Sequence, residues 1–191
     1  MKKTAVLIYN SFCNFEFSVL LEILAMNEKP ITVFSKDIFP VRSEEGITVL
    51  PDKKISDLDI NEYDSLILTG AYDIRETVED DEIMDFIRKF NTENYVIGAI
   101  SIAPILLLKA GLLKDKKFIA GVNKEELYEE GFQEKELKYM IDWNEALKNP
   151  MIEGYVKDRN IITAVSYNFI KWAMAIIKEL GLNVSPKSFG L

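Results

Sequence analysis

The stretch Tyr95-Val96-Ile97-Gly98-Ala99-Ile100-Ser101-Ile102-Ala103-Pro104-Ile105-Leu106-Leu107-Leu108-Lys109-Ala110-Gly111 decides the fold. Tyr95 to Ile100 is a continuous apolar run, the pattern of a strand covered on both faces. Ile102 to Ala110 reads as a helix, ended by Gly111. Only Ser101 separates the two. A nucleophile elbow needs such an abrupt passage from strand to helix, with small residues two before and two after the reactive one. Ala99 and Ala103 occupy those places. Pro104 suits the first helical turn, where a missing N–H is harmless, and the helix N-terminus favours an anion beside the Ser101 hydroxyl. Serine is also an ordinary N-cap, so the same junction is open to a purely structural reading.

Working outward, Val6 to Tyr9, Ile31 to Ser35 and Ser65 to Leu68 repeat the strand pattern. Phe17, Leu20, Leu21 and Leu24 recur at helical spacing, as do Ile83, Phe86, Ile87 and Phe90 behind an acidic turn. A strand pair is expected around Pro40–Arg42 and Ile47–Leu50, with Gly46 between them. Lys117 to Ala120 reads as a short strand and Lys124 to Trp143 as charged helical pieces. A hairpin is expected from Tyr155-Val156 to Ile161–Ala164. Asn168 to Leu180 is the last helix, and Ser185 to Leu191 a loosely held tail. Apolar strands alternating with helices predict a single α/β domain over residues 1–191, a three-layer sandwich with a mainly parallel sheet. Ligands of such folds sit beyond the carboxyl ends of the strands. That edge carries the loops Asn10–Asn14 and Thr69–Asp73 and the turn at Ser101.

Composition narrows the chemistry. The 191 residues carry a net charge of −8 with no basic stripe, which speaks against nucleic acid as a partner. No apolar run reaches the roughly 20 residues a bilayer requires, so no membrane association is expected. The charged start leads into an apolar stretch too short for a signal peptide, which places the protein in the cytoplasm. There is one cysteine, Cys13, and no histidine. The usual neutral-pH acid/base and the commonest zinc ligand are therefore missing, and no Ser-His-Asp or Cys-His set can form from this chain alone. No metal-ligand spacing and no phosphate-binding glycine loop is present, so neither a metal nor a cofactor is expected.

Gly98 to Pro104, followed by an apolar helix and Gly111-Leu112-Leu113, resembles the elbow segment of the ThiJ/PfpI superfamily, which shares the class I glutamine amidotransferase-like (flavodoxin-like) fold. The family elbow carries cysteine where this chain has Ser101. Phe12-Cys13-Asn14-Phe15-Glu16 is similar to the segment that brings a glutamate beside the elbow, which maps onto Glu16. Leu66-Ile67-Leu68-Thr69-Gly70-Ala71 is similar to the strand and Pro-Gly-Gly turn whose backbone N–H faces the site, which maps onto Gly70 and Ala71. The resemblance implies a homodimer and a protonated Glu16 that donates to the elbow residue. It supplies no histidine at Gly121-Val122-Asn123.

A serine hydroxyl needs a base, and Glu16 is the one candidate. The two amides of Ala71 and Ile102 could form an oxyanion-type pocket without chemistry. The first reading is a small-molecule or partner-binding pocket of Glu16, Gly70, Ala71 and Ser101 without cysteine chemistry. The alternative is a divergent serine hydrolase or amidotransferase-like enzyme using Ser101 with Glu16. Glu16 also has a bland reading as a polar cap of the first helix. Cys13 is weighed as a redox-sensitive thiol against a small buried hydrophobe. Tyr139, Trp143, Tyr155 and Trp172 are candidates to line a pocket, with Trp172 better read as core or dimer surface.

Overall fold

In the computed structural model, which describes residues 1–191, the chain runs through β1 (Lys3–Leu7), α1 (Phe15–Met26), β2 (Ile31–Ser35), β3 (Val41–Arg42), β4 (Thr48–Val49), β5 (Lys53–Lys54) and β6 (Tyr63–Leu68). It continues through α2 (Arg75–Val78), α3 (Asp81–Arg88), β7 (Val96–Ile100), α4 (Pro104–Lys109), β8 (Phe118–Ile119), α5 (Lys124–Glu129) and α6 (Glu134–Leu137). The last elements are β9 (Met140–Ile141), α7 (Trp143–Lys148), β10 (Val156–Asp158), β11 (Ile161–Ala164) and α8 (Phe169–Glu179). Seven strands form one sheet in the order β10-β11-β7-β6-β1-β2-β5. Every pair is parallel except β10 with β11. This is the flavodoxin-like, amidotransferase-like α/β sandwich that the strand pattern and the resemblance led us to expect.

The period-two geometry of strands divides the core into two layers. Ala5, Leu7, Leu66, Leu68, Ile97 and Ala99 face α3 and α4. Val6, Ile8, Ile67, Ile100 and Ile162 face the opposite way, onto α1 and α8. Both faces are thus dry, which is why these strands read as continuous apolar runs. Trp172 is fully buried on α8, and its indole N–H donates to the Ile162 carbonyl at 3.1 Å. It is core. A Cβ on Gly98 would lie 2.4 Å from Ile176 Cδ1 and 2.9 Å from Trp172 Cζ2. Strand β7 therefore carries glycine there so that α8 can lie flat on the sheet.

Some expectations need correction. The edge strand β5 pairs with β2 through only two residues and shows no apolar pattern to mark it. The tail is not wholly loose: Pro186–Phe189 forms a 3-10 turn and Phe189 packs against the α1/α8 layer. The four aromatics do not share a pocket. Trp143 packs with Ile119, Ala146, Val156 and Val165, while Tyr155 joins the α1/α8 layer. No helix is long and apolar enough to cross a membrane.

The strand order reverses beside β1: β2 and β5 lie on one side of it, β6, β7 and β11 on the other. The carboxyl ends of β1, β6 and β7 are consequently neighbours, and this crevice positions the candidate site.

Candidate functional site

Three loops meet in that crevice. The loop after β1 and the loop after β6 are joined by backbone hydrogen bonds, from Cys13 N–H to the Gly70 carbonyl at 2.7 Å and from Tyr72 N–H to the Ser11 carbonyl at 3.1 Å. The third is the turn at the end of β7. Ser101 there has φ 60°, the left-handed region that a serine enters only at a cost of about 1–3 kcal/mol. Its backbone is held on both sides. The Ser101 N–H donates to the Ala164 carbonyl at 2.8 Å, and the Gly121 N–H donates to the Ser101 carbonyl at 2.7 Å. The N-cap of α4 is Ala103, two residues on, with Pro104 in the first turn. The reading of Ser101 as a simple N-cap is therefore overturned: its backbone belongs to the sharp turn and its side chain is directed elsewhere.

Glu16 lies in the first turn of α1, yet it is 3% exposed and does not serve as a surface cap. Its Oε2 accepts from the Gly70 N–H at 2.7 Å and lies 3.4 Å from the Thr69 hydroxyl. Burial pushes the Glu16 carboxyl above the usual carboxylate range, and the charge of Glu44 adds to the push. The Gly70 amide and the Ser101 hydroxyl oppose it, because each favours the ionised form. A Cβ on Gly70 would lie 2.6 Å from Glu16 Oε2, 2.7 Å from Ser101 Cβ and 2.9 Å from Ser101 Oγ. Glu16, Gly70 and Ser101 are thus packed against one another with no room for a methyl group. Ala71 stands beside them, bridged to Phe12 across the two loops. The amides of Ala71 and Ile102 donate to no protein acceptor, which leaves both free for an anion or a carbonyl oxygen.

The supports of this cluster were invisible in the sequence. The buried Tyr9 hydroxyl donates to the Thr69 carbonyl at 2.5 Å, and the Thr69 hydroxyl donates to the Cys13 carbonyl at 2.5 Å. The Thr69–Gly70 peptide unit is therefore fixed at its oxygen by Tyr9 and at its nitrogen by Glu16. Gly121 is the other residue missed; a Cβ there would lie 3.4 Å from the Ser101 carbonyl carbon. A tyrosine at the end of an apolar strand and a glycine after a two-residue one carry no signal until the loops are brought together.

These features together match one family. The DJ-1/PfpI family model covers residues 2–179. The chain belongs to the DJ-1/PfpI family. An uncharacterized protein from Methanocaldococcus jannaschii is 24% identical over 143 residues, which span 72% of this chain and 62% of that protein. A Bacillus subtilis protein named "Putative cysteine protease YraA" is 30% identical over 118 residues, 60% of this chain and 69% of that one. Among solved structures, a DJ-1 superfamily protein from Agrobacterium tumefaciens superposes with a TM-score of 0.79 at 21% identity, covering 99% of this chain and 94% of that one. DJ-1 from Schizosaccharomyces pombe gives 0.75 at 15% identity, with 99% of each chain covered. At such identities the two structures speak to the fold.

Within this DJ-1/PfpI fold, Cys13 is 2% exposed and its thiol lies 3.6 Å from Glu45 Oε1, to which it donates. Burial first, then the carboxylates of Glu16, Glu44 and Glu45, push the thiol pKa far up. A raised thiol pKa lowers the fraction of the nucleophilic thiolate. Cys13, Glu44 and Glu45 bring possible ligand atoms within 4.8 Å of one another, a grouping their sequence separation concealed. Both carboxylates are exposed, and Glu45 is already engaged by the Phe15 N–H at 3.0 Å.

Proposed function

We propose that this DJ-1/PfpI family chain binds a small molecule in the pocket of Glu16, Gly70, Ala71 and Ser101, and performs no cysteine chemistry there. One observation carries the reading: the only carboxyl beside Ser101 is buried, with its Oε2 taken by the Gly70 N–H at 2.7 Å and its pKa pushed up. A carboxylate is a far weaker base than the alkoxide it would have to generate, this one already accepts the Gly70 N–H, and the chain has no histidine to replace it. Ser101 stands where the resembling elbows carry cysteine, and the lone Cys13 is buried under acidic neighbours. What remains is binding: two free amides at Ala71 and Ile102 suited to a carboxylate or carbonyl oxygen. The pocket is proposed to work in a homodimer, which the family resemblance implies; light scattering that returns a monomer at working concentration would contradict this.

A second reading, a serine hydrolase or amidotransferase-like enzyme, draws support from the left-handed Ser101 backbone, since strain of this kind gathers at reactive positions. A fluorophosphonate probe separates the two. The binding reading expects no label on Ser101 while a control serine hydrolase labels fully. Turnover of esters, amides or methylglyoxal that is abolished by Ser101→Ala would overturn it.

A further inference from the structure

We propose that the cleft opening beside the elbow, between α2, α4 and the α5–α6 segment, is a binding site for an apolar organic cation: a primary amine carrying a compact branched or aromatic group. The cleft has a volume of about 510 Å³, within the range of small-molecule sites. Its walls are Ile74, Val78, Ile102, Ile105, Val122 and Phe132. Ile102 directly follows Ser101, so the cleft starts where the elbow ends.

The rim selects the charge. Its two cations are already engaged: Lys109 pairs with Glu79 at 2.8 Å, and Arg75 pairs with Asp73 at 2.5 Å. Glu130 and Glu136 also line the cleft, and neither forms an ion pair. They belong to a segment, Lys124 to Leu137, in which six glutamates face two lysines. An apolar body is desolvated by the walls while its ammonium group meets two carboxylates that have no ion-pair partner, Glu136 through the oxygen left free when its Oε2 accepts the Gln133 N–H at 2.9 Å. An apolar carboxylate would meet the same walls and be repelled. The inference extends the proposed elbow pocket and rests on it only for the shared Ile102.

The test is a titration of the full-length 15N-labelled protein, followed by amide shifts, with 2-phenylethylamine, 2-phenylethanol and phenylacetate at equal ionic strength. The amine moves the Val78, Ile105, Val122 and Phe132 signals saturably and binds about fivefold tighter than the alcohol. Phenylacetate binds weakest. The double substitution Glu130→Gln with Glu136→Gln, both on exposed side chains, brings the amine down to the alcohol's affinity; Phe132→Ser weakens both about tenfold. Acetate, followed at Ala71, which is not part of the cleft lining, reports the elbow pocket separately, so that either reading can fail alone. Absence of saturable shifts with the amine, or phenylacetate binding as tightly, overturns the inference. So does movement of the same signals with protein concentration alone, which would make the cleft an interface between copies.

Discussion

Gly70→Ala tests the packing of the site by the sign of its effect. Gly70 does not sit in the left-handed region, so its backbone accepts alanine. Were the position open, the substitution would stabilise by about 0.4–1 kcal/mol through the unfolded chain. It is not open. The added Cβ would lie within 2.9 Å of three atoms, Glu16 Oε2, Ser101 Cβ and Ser101 Oγ. Ser101 cannot retreat, because its N–H and carbonyl are held by Ala164 and Gly121. Glu16 must therefore turn away and release the Gly70 N–H. Overpacking costs about 1–3 kcal/mol, and the lost hydrogen bond about 1 kcal/mol. After the entropic offset, the net destabilisation is about 1.5–3 kcal/mol. In urea, with a slope of about 2 kcal/mol/M, the midpoint falls by roughly 0.7–1.5 M. Gly121→Ala is the comparison, since its added Cβ meets nothing closer than 3.4 Å. A Gly70→Ala protein as stable as the parent or more so would refute the three-way contact of Glu16, Gly70 and Ser101.

The remaining predictions concern the same cluster. Because Glu16's folded pKa is raised, its contribution to stability is complete below the unfolded value of about 4.3 and is lost as pH rises through the folded pKa; Glu16→Gln removes this loss, so parallel stability–pH curves for the two proteins between pH 4 and pH 8 would contradict the burial argument. Ser101→Gly relieves the left-handed strain and, after glycine's extra unfolded-state entropy, stabilises by up to about 1 kcal/mol; a destabilisation of similar size in urea would show that the turn is not strained. Tyr9→Phe leaves the buried Thr69 carbonyl without its hydroxyl donor at a cost of about 1–3 kcal/mol and speeds hydrogen exchange at Gly70; an unchanged exchange rate would mean that Tyr9 does not hold this peptide.

What the chain determined by itself was the order of its elements and the edge that carries function. The runs at Val6, Ile31, Ser65 and Tyr95 announced buried parallel strands because both faces of the sheet are dry, and Gly111 and Gly181 closed their helices where a left-handed residue was needed. Ser101, Glu16 and Gly70 were legible through short motifs in the right order. The tertiary structure decided everything that depends on distance. It placed Tyr9 under Thr69 and Gly121 behind Ser101, buried Glu16 so that its carboxyl pKa is raised, and surrounded Cys13 with carboxylates from a hairpin some thirty residues away. It also settled Ser101 as a left-handed turn residue in place of an N-cap, since sequence carries the residue's propensity but not the φ that its neighbours impose. The apolar cleft beside the elbow was likewise hidden, because its walls come from four separate segments that only the folded sheet brings together.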